Sequence, residues 1–274
     1  MSTGTTTPTR GLQRPAKPPV RWTTWAGVSA FVAITLWAAL EPLGGIGFSL
    51  APLFSEQAAA GWFIIRRFFN PEWAFLLRVY PRFLETLYIA VLASAVGCTV
   101  ALPIALLSSK VTNGSRTLYG LMRTWLSVIR SLPDVAWAFL FVAAVGTGAL
   151  GGIMALIMFN IGIIAKLTSE TVDGVDPGPV EAAQAAGANR IQTAWSAVVP
   201  QILPGYLSYS LYVFELNIRA SLVIGFVGGG GIGNVIRQTM SRFEWEQLSA
   251  LIIAFFVIVV ILDQVSIALR RRLV

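Results

Sequence analysis

Residues 173–200 read DGVDPGPVEAAQAAGANRIQTAWSAVVP and lie between two apolar runs, residues 150–172 and 203–227. Each run is long enough to cross a bilayer as a helix, which takes about 20 predominantly apolar residues. The connection between them is longer than a tight turn and mixes charged, small and helix-forming residues. The pattern therefore predicts two membrane spans joined by a connection with a structure of its own.

This connection carries the signals of two short helices. Asp176 and Pro177 precede a run of good helix formers, residues 180–186. Gly187 then ends the first helix, and residues 188–198 can form a second one. A helix-turn-helix tethered to a span at each end is a lever more than a linker. An amphipathic surface loop is the simpler alternative.

The composition of the whole chain indicates a membrane protein. Of its 274 residues, 55% are hydrophobic and 12% are charged, and the mean hydropathy is +0.71. A soluble domain carries about 25% charged residues, and this chain could not cover a soluble surface without large apolar patches. Six apolar runs qualify as spans: residues 23–40, 81–108, 118–145, 150–172, 203–227 and 248–269. The predicted fold is therefore an all-α, polytopic helical membrane protein with about six transmembrane helices, the third kinked at Pro133.

The basic residues predict the orientation of these spans. Cytoplasmic connections carry an excess of lysine and arginine. With both termini inside, ten basic residues fall on the cytoplasmic side: Arg10, Arg14, Lys17, Arg21, Lys110, Arg116, Arg190, Arg270, Arg271 and Arg272. Five fall outside: Arg66, Arg67, Arg78, Arg237 and Arg242. The bias predicts that both termini and the 173–200 connection face the cytoplasm.

The chain divides into three parts. Residues 1–22 are rich in Ser, Thr, Gly and Pro and are predicted to be a disordered cytoplasmic tail. Residues 23–80 hold the first transmembrane helix and a segment in which aromatic residues are mixed with arginine. Such a segment suits a helix in the outer interface, although an ordinary packed loop fits as well. Residues 81–274 form the membrane core, with the connection at 173–200.

The sequence lacks the residues that several classes of function usually require. The chain has no histidine and one cysteine, Cys98, which removes the common zinc sites and the His-dependent nucleophile systems. Its net charge of +7 arises mainly at the ends of apolar runs, so nucleic acid is not an expected partner. Gly228, Gly230 and Gly233 fit G-x-G-x-x-G, but they follow an apolar helix instead of a strand. No phosphate loop of the G-x-x-x-x-G-K-[ST] type occurs, so an ATP-driven pump would need a partner.

The connection resembles the signature of ABC importer permeases. That signature is Glu-Ala-Ala, three residues, Gly, then nine residues and a hydrophobic-x-hydrophobic-Pro ending. Glu181, Ala182, Ala183, Gly187 and Pro200 match it in register, whereas the ending has Ala and Val where Ile and Leu are usual.

The resemblance extends over residues 83–270. The segment RSLPD at 130–134 is similar to permeases of the methionine-importer-like fold. The stretches LPGYLSY at 203–209 and FELNIRAS at 214–221, with the glycine-rich 225–233, resemble the phosphonate-importer subgroup in particular.

The resemblance implies both partners and cargo. It implies a homodimer of permeases in the multi-pass inner (plasma) membrane of a bacterium, on two cytoplasmic ATPase subunits and fed by an extracytoplasmic binding protein. The implied cargo is a phosphonate or a related phosphorus oxyanion such as phosphate or phosphite. No cofactor is expected in this chain itself, since ATP and Mg would belong to the partner ATPase, and membrane lipid would surround it.

The candidate site residues follow from these readings. The expected ATPase-coupling residues, with Gly187 as a pivot, are Glu181, Ala182, Ala183, Gly187 and Arg190. The expected substrate pathway is Arg219 in the outer half of the fifth span, with Asn217, Ser221 and Glu215. An intramembrane arginine is costly and its fork suits oxyanions, but Glu215 lies four residues earlier and could simply neutralise it. The expected gating glycines, in an outward-facing turn or a re-entrant one, are Gly230, Gly231 and Gly233.

Two further i,i+4 pairs are predicted to be structural. Arg130 and Asp134 would hold the helix across its kink, and Lys166 and Glu170 would pair near the inner end of the fourth span. No metal site and no catalytic residue are expected.

Two rival functions stay open at this point. An ion-coupled secondary transporter would show inverted repeats and midplane ionisable groups, neither of which is evident, and it has no use for a cytoplasmic lever. A membrane-embedded enzyme would need a clustered nucleophile, base and metal ligands. Co-purification with an ATPase would separate the importer from both.

Overall fold

The computed structural model describes residues 22–39, 51–54 and 56–272, and within these ranges every regular element is a helix. The chain forms two compact units, residues 1–62 and 63–274. In the first unit, α1 (Trp22–Ala39) is apolar and has no buried side chain, and a 3-10 turn follows at Ala51–Phe54. The first predicted span, 23–40, is therefore confirmed as a helix. The tail predicted at 1–22 lies outside the described residues, except for Trp22.

The second unit is a helical bundle. Its helices are α2 (Glu56–Phe68), which begins in the first unit, α3 (Trp73–Leu107), α4 (Arg116–Ser131), α5 (Asp134–Val145), α6 (Ala149–Asp173), α7 (Pro177–Ala185), α8 (Arg190–Thr193), α9 (Val199–Phe226), α10 (Gly231–Ser241) and α11 (Trp245–Arg270). Four helices, α1, α3, α6 and α11, are long and apolar enough to cross a membrane alone. Counting α4 with α5 and α9 with α10 as broken spans gives six. This agrees with the predicted number of spans.

The third predicted span breaks completely at Pro133. The axes of α4 and α5 meet at 88°, far beyond a kink. Leu132 is extended, with φ −96° and ψ 130°, because the ring of the following proline disfavours the helical region at that residue. Pro133 then precedes the first residue of α5, where its missing N–H costs nothing.

The second predicted span starts earlier than expected. α3 begins at Trp73 instead of residue 81 and passes through Pro81 and Pro103 without ending. At 1.5 Å per residue its 35 residues measure about 52 Å, so it must tilt or extend beyond the hydrocarbon core. The boundary expected at residue 80 consequently falls inside a helix.

The fifth predicted span is longer at both ends. A π-helical segment, Ala194–Val198, joins α8 to α9, so helix continues from Arg190 to Phe226. The sequence predicted a separate helix over residues 188–198. Instead, helix begins at Arg190 and its first turns run directly into α9. Beyond the glycines the same span resumes as α10, bent by 42°.

The bundle has two distinct ends. At one end, Asp173 contacts Ser109, Lys110 and Arg123, and the Arg190 guanidinium lies against Gly114. We call this the loop end, comprising residues 108–115 and 173–198. At the other end, the start of α3 meets the start of α11, where the Glu72 N–H donates to the Glu246 carbonyl at 3.1 Å.

The core centres on α6, which packs against α3, α5 and α9. Small residues allow this close approach. A Cβ on Gly97 of α3 would lie 2.7 Å from Asn160 of α6, and one on Gly152 would lie 2.4 Å from the Gly229 carbonyl oxygen. The predicted functional segments are thus held by closely packed backbones.

Candidate functional site

The helix α7 at the loop end is fixed from both sides. The Asp176 carboxylate accepts the Gly178 N–H at 2.9 Å, and Pro177 takes the first helical position. Val180 is buried and packs with Ala183 against the ends of α6 and α9. This apolar row anchors the helix to the bundle.

The opposite face of α7 is exposed. Glu181 and Ala182 both face away from the bundle, and Ala183 lies half-buried behind them. The Glu181 carboxylate has no hydrogen bond or ion pair with any residue in the ranges that the structure describes. A charged, small-residue surface is thus presented outward on a firmly seated helix.

A Schellman turn ends α7 at Gly187. The Ala188 N–H donates to the Ala183 carbonyl at 3.1 Å and the Gly187 N–H donates to Gln184 at 2.9 Å. Gly187 has φ +83°, which favours glycine, although a Cβ added there would have no other atom within 4 Å. Asn189 then caps the next helix in a reciprocal capping box with Gln192. The predicted turn at Gly187 is confirmed, and its role as a pivot stays a prediction.

Asp173, at the end of α6, joins three elements directly before α7. Its Oδ1 accepts the Ser109 hydroxyl at 2.6 Å and the Lys110 N–H at 2.9 Å, while Oδ2 accepts Arg123 Nη2 at 2.6 Å. Arg123 Nε also donates to the Ser108 carbonyl at 3.2 Å. This cluster ties the 108–115 connection and α4 to the base of the coupling loop, and the sequence reading missed it.

Replacing Asp173 with alanine should lower the free energy of unfolding by about 2 kcal/mol, because the charge-assisted hydrogen bonds to Arg123 are lost. Glu170 provides the matched control. It pairs with Lys166 at 2.7 Å but is half-exposed, so Glu170→Ala should cost less than about 1 kcal/mol. Thermal unfolding of both purified variants checks the difference. Equal losses would contradict a special role for the Asp173 cluster.

The charges on α9 pair mainly with α11. Arg219 Nη2 donates to both carboxylate oxygens of Asp263, at 2.7 and 2.9 Å, while Glu215 lies 4.0 Å away. Glu215, whose side chain is 6% exposed, accepts instead from Arg270. The predicted neutralisation of Arg219 by Glu215 is thus at best weak, because a partner on a neighbouring helix sits closer.

Arg219 lies 29 residues after Arg190, which is about 43 Å along the helix from the loop end at 1.5 Å per residue. Its predicted location in the outer half of the membrane stays a prediction. The predicted pathway residues do not converge. Asn217 and Ser221 are buried, with Asn217 donating to the Ser94 hydroxyl at 2.7 Å, whereas Arg219 is 48% exposed.

The Arg219 pair can be tested by separating stability from transport. Arg219→Ala leaves Asp263 without its cation and should destabilise the chain by about 2.5 kcal/mol, the insertion cost of an unpaired membrane charge. The double variant Arg219→Ala, Asp263→Ala should recover both stability and uptake. Recovery of stability without uptake would instead establish the predicted pathway role of Arg219. Uptake by reconstituted protein and thermal unfolding are the two measurements.

Of the two other predicted ion pairs, one forms and one does not. Lys166 and Glu170 form an ion pair at 2.7 Å, as predicted. Arg130 and Asp134 do not, since the i,i+4 relation holds only within a continuous helix and α4 ends at Ser131. The Asp134 carboxylate accepts the Val135 N–H of its own helix instead, at 2.9 Å.

The glycine segment lies inside the bundle and not in an outward turn. Gly230 and Gly231 have φ of +82° and +69°, and the following Ile232 N–H donates to the Thr86 hydroxyl of α3 at 2.8 Å. A Cβ on Gly233 would lie 2.1 Å from the Leu222 carbonyl oxygen. The glycines are buried and do not form an exposed turn, whereas the re-entrant alternative and the gating role stay predictions.

The segment after α2 keeps exposed aromatic side chains, including Phe69 and Trp73. Arg67 binds Glu246 with two hydrogen bonds, at 2.6 and 2.9 Å, which fixes the end of α2 to the start of α11. The side-chain hydrogen bond to Glu246 raises the pKa of the Arg67 guanidinium above its ordinary value. The interfacial location of this segment stays a prediction.

Comparison with known proteins adds to this geometry. Residues 101–274 match the family model described as binding-protein-dependent transport system inner membrane component. The chain is 36% identical to a phosphate-import permease protein, PhnE, of Mycolicibacterium smegmatis over 69% of its own length, but spans only 36% of that protein. It is 34% identical to the phosphite transport system permease protein PtxC of Stutzerimonas stutzeri, with 69% of each chain covered.

A solved structure shares the fold. The inward-facing MetNI methionine ABC transporter contains a chain that superimposes with a TM-score of 0.62 at 19% identity. The alignment covers 73% of this chain and 98% of that one. At this identity the likeness shows the fold, and it agrees with the methionine-importer-like arrangement that the sequence predicted.

Proposed function

The chain belongs to the family of binding-protein-dependent transport system inner membrane components, and on that premise we propose that it is the permease subunit of an ATP-driven importer of phosphorus oxyanions. As a member of this family it is a multi-pass membrane protein and a transport subunit. The proposed cargo is phosphite, phosphate or a phosphonate, in keeping with the relatives named for phosphite transport and phosphate import.

The observation that carries the proposal is the construction of α7. Its Val180 face is buried against two spans, while Glu181 and Ala182 are exposed and the carboxylate has no partner within the described residues. A helix so firmly seated on one side and open on the other is suited to docking a second protein. The partner that supplies energy to this family is an ATPase, and the match of Glu181, Ala182, Ala183 and Gly187 to the importer signature supports α7 as its docking element.

In the proposed mechanism, two copies of the chain sit on two cytoplasmic ATPase subunits, with the loop end facing the cytoplasm. ATP and Mg bind the ATPases, and this chain performs no catalysis. Closure of the ATPases pushes α7, and the helix that starts at Arg190 carries the displacement into the bundle. Rigid-body motion of this kind alternates access between the two sides of the membrane. An extracytoplasmic binding protein delivers the anion.

Reconstituted uptake tests the proposal. The chain is placed in vesicles with its ATPase and binding protein, and uptake of phosphite, phosphate and methylphosphonate is measured with and without ATP. We expect ATP-dependent accumulation of at least one of these anions. Accumulation driven by a proton or sodium gradient without ATP would contradict the proposal and favour a secondary transporter.

A further inference from the structure

The break between α4 and α5 lies level with the middle of α6. Arg130 is in the last turn of α4, and a Cβ on Gly162 of α6 would lie 3.1 Å from the Arg130 Cγ. Gly162 precedes Asp173, the last residue of α6, by 11 residues, which is about 16 Å at 1.5 Å per residue. Half the thickness of the hydrocarbon core is about 15 Å. Because α6 is long enough to cross a membrane alone, the break lies near mid-membrane depth.

The backbone at the break is exposed and only partly hydrogen-bonded. Residues 131–133 are all exposed. The Ile129 carbonyl accepts the Trp137 indole N–H at 3.3 Å, but no donor among the described residues reaches the carbonyls of residues 130–132. Irregular backbone at membrane depth is tolerated only where protein covers it or where it lines a water-filled cavity. A position facing lipid therefore does not suit this break.

The charge of Arg130 is not used by the bundle. Its side chain is exposed, and among residues 61–272 no carboxylate forms an ion pair with it. The Asp134 carboxylate accepts the Val135 N–H at 2.9 Å instead. Arg219, in contrast, is bound by both carboxylate oxygens of Asp263. An arginine at membrane depth is costly unless it faces a partner or water, so Arg130 needs a counterion that these residues do not supply.

We propose that the α4–α5 break lines the water-filled pathway of the anion, and that Arg130 binds the anion halfway across the membrane. The planar guanidinium can donate two hydrogen bonds at once to a phosphorus oxyanion, which a lysine ammonium cannot do in the same geometry. The inference rests on the proposed function, from which it takes the class of anion. It assigns anion recognition to Arg130 in place of Arg219, whose charge is already neutralised by Asp263.

Thiol accessibility tests whether water reaches the break. Cys98→Ala removes the only cysteine, and Leu132→Cys is then treated, in the assembled transporter in vesicles, with charged methanethiosulfonates added on both sides. Phe256→Cys is the control, because Phe256 is 65% exposed in the middle of the continuous helix α11. Leu132→Cys should react about tenfold faster or more, since the reactive thiolate forms in water and not in hydrocarbon. Equal rates would overturn the proposal and indicate a break covered by lipid or by a dry contact with a second copy.

The charge of the reagent tests the role of Arg130. With Arg130 present, an anionic methanethiosulfonate should be favoured over a cationic one at Leu132→Cys. Adding Arg130→Gln should lower the ratio of the two rates about fivefold, because a cation this close attracts one reagent and repels the other. A purely structural arginine would leave the ratio unchanged, and that result would overturn the proposal.

Uptake connects the site to transport. Arg130→Gln should reduce ATP-driven uptake about tenfold or more, as expected for the loss of a charge-assisted contact, while Arg130→Lys should retain more. Co-purification of the ATPase should not change. Arg116→Gln is the matched control at the other, exposed end of α4, and its effect should stay below about twofold. If the unaltered transporter and Arg130→Gln take up the anion equally, this proposal alone fails. If the unaltered transporter shows no ATP-driven uptake, the proposed function fails, and the choice of anion fails with it.

Discussion

Glu181→Lys should abolish most ATP-driven uptake, by about 30-fold or more, while the chain still folds and inserts. Glu181 is exposed and makes no contact that the bundle needs, since Val180 and Ala183 anchor α7. The lysine ammonium introduced at residue 181 would be exposed in the chain by itself and would become buried only when a partner docks on α7. Disrupting a charge in a desolvated interface costs about 2–5 kcal/mol, and each 1.4 kcal/mol is a factor of ten.

The measurements for Glu181→Lys are uptake, ATP hydrolysis by the assembled transporter and co-purification of the ATPase. Co-purification should fall together with uptake. Glu170→Lys controls for a charge reversal at the same end of the bundle, away from α7, and should reduce uptake by less than about threefold, because its half-exposed pair is worth little. If Glu181→Lys keeps full uptake, α7 is not the docking element and the proposed mechanism fails.

Gly233→Ala should produce the largest loss of stability of any single methyl addition considered for this chain. The added Cβ would lie 2.1 Å from the Leu222 carbonyl oxygen and 2.9 Å from the Gly225 Cα. Both obstacles are backbone atoms, so no side-chain rotation relieves the overlap, and α10 must move away from α9. Overpacking of this kind costs about 1–3 kcal/mol and occasionally more.

Gly120→Ala is the matched control for Gly233→Ala. Gly120 lies in the interior of α4, and a Cβ there would meet nothing within 4 Å. Alanine should therefore stabilise the helix by about 0.5–1 kcal/mol, the opposite sign. Thermal unfolding in detergent measures both, and a neutral Gly233→Ala would mean that α10 is not packed against α9 as the structure has it.

Local signals predicted much of the architecture. Six apolar runs correspond to the four single helices and the two bent helix pairs that are long enough to cross a membrane, because the bilayer sets the length of an apolar helix. The turn at Gly187 was predictable since only glycine readily takes the positive φ that a Schellman turn requires, and Asp176 and Pro177 marked the start of α7. The outward position of Glu181 follows from its place next to Val180 on a short helix with one buried face.

Contacts between distant segments were not predictable in the same way. Asp263 lies 44 residues from Arg219, and nothing in the spacing of an isolated span indicates which neighbour it faces. A single acid within the apolar run 248–269 was the available signal, because a membrane carboxylate needs a partner. The Asp173 cluster gave a similar hint, as an acid at the end of an apolar run beside basic connections.

The continuity of α8 and α9 escaped the sequence reading for another reason. Ala194–Val198 forms a π-helical segment, whose hydrogen-bond pattern has no distinctive residue signature. The helix also continues through Pro200, directly after the π-helical segment, and through Pro204.

Between the capping box at Asn189 and the glycine break, the chain is one uninterrupted strut from Arg190 to Phe226, about 55 Å long at 1.5 Å per residue. If a helix of that length rotates about one end, its other end moves by about 1 Å for each degree of rotation. An angular change too small to unseat Val180 would therefore arrive at the buried glycines as a shift of several ångströms. A small rotation at the loop end is thus enough to displace the glycine segment.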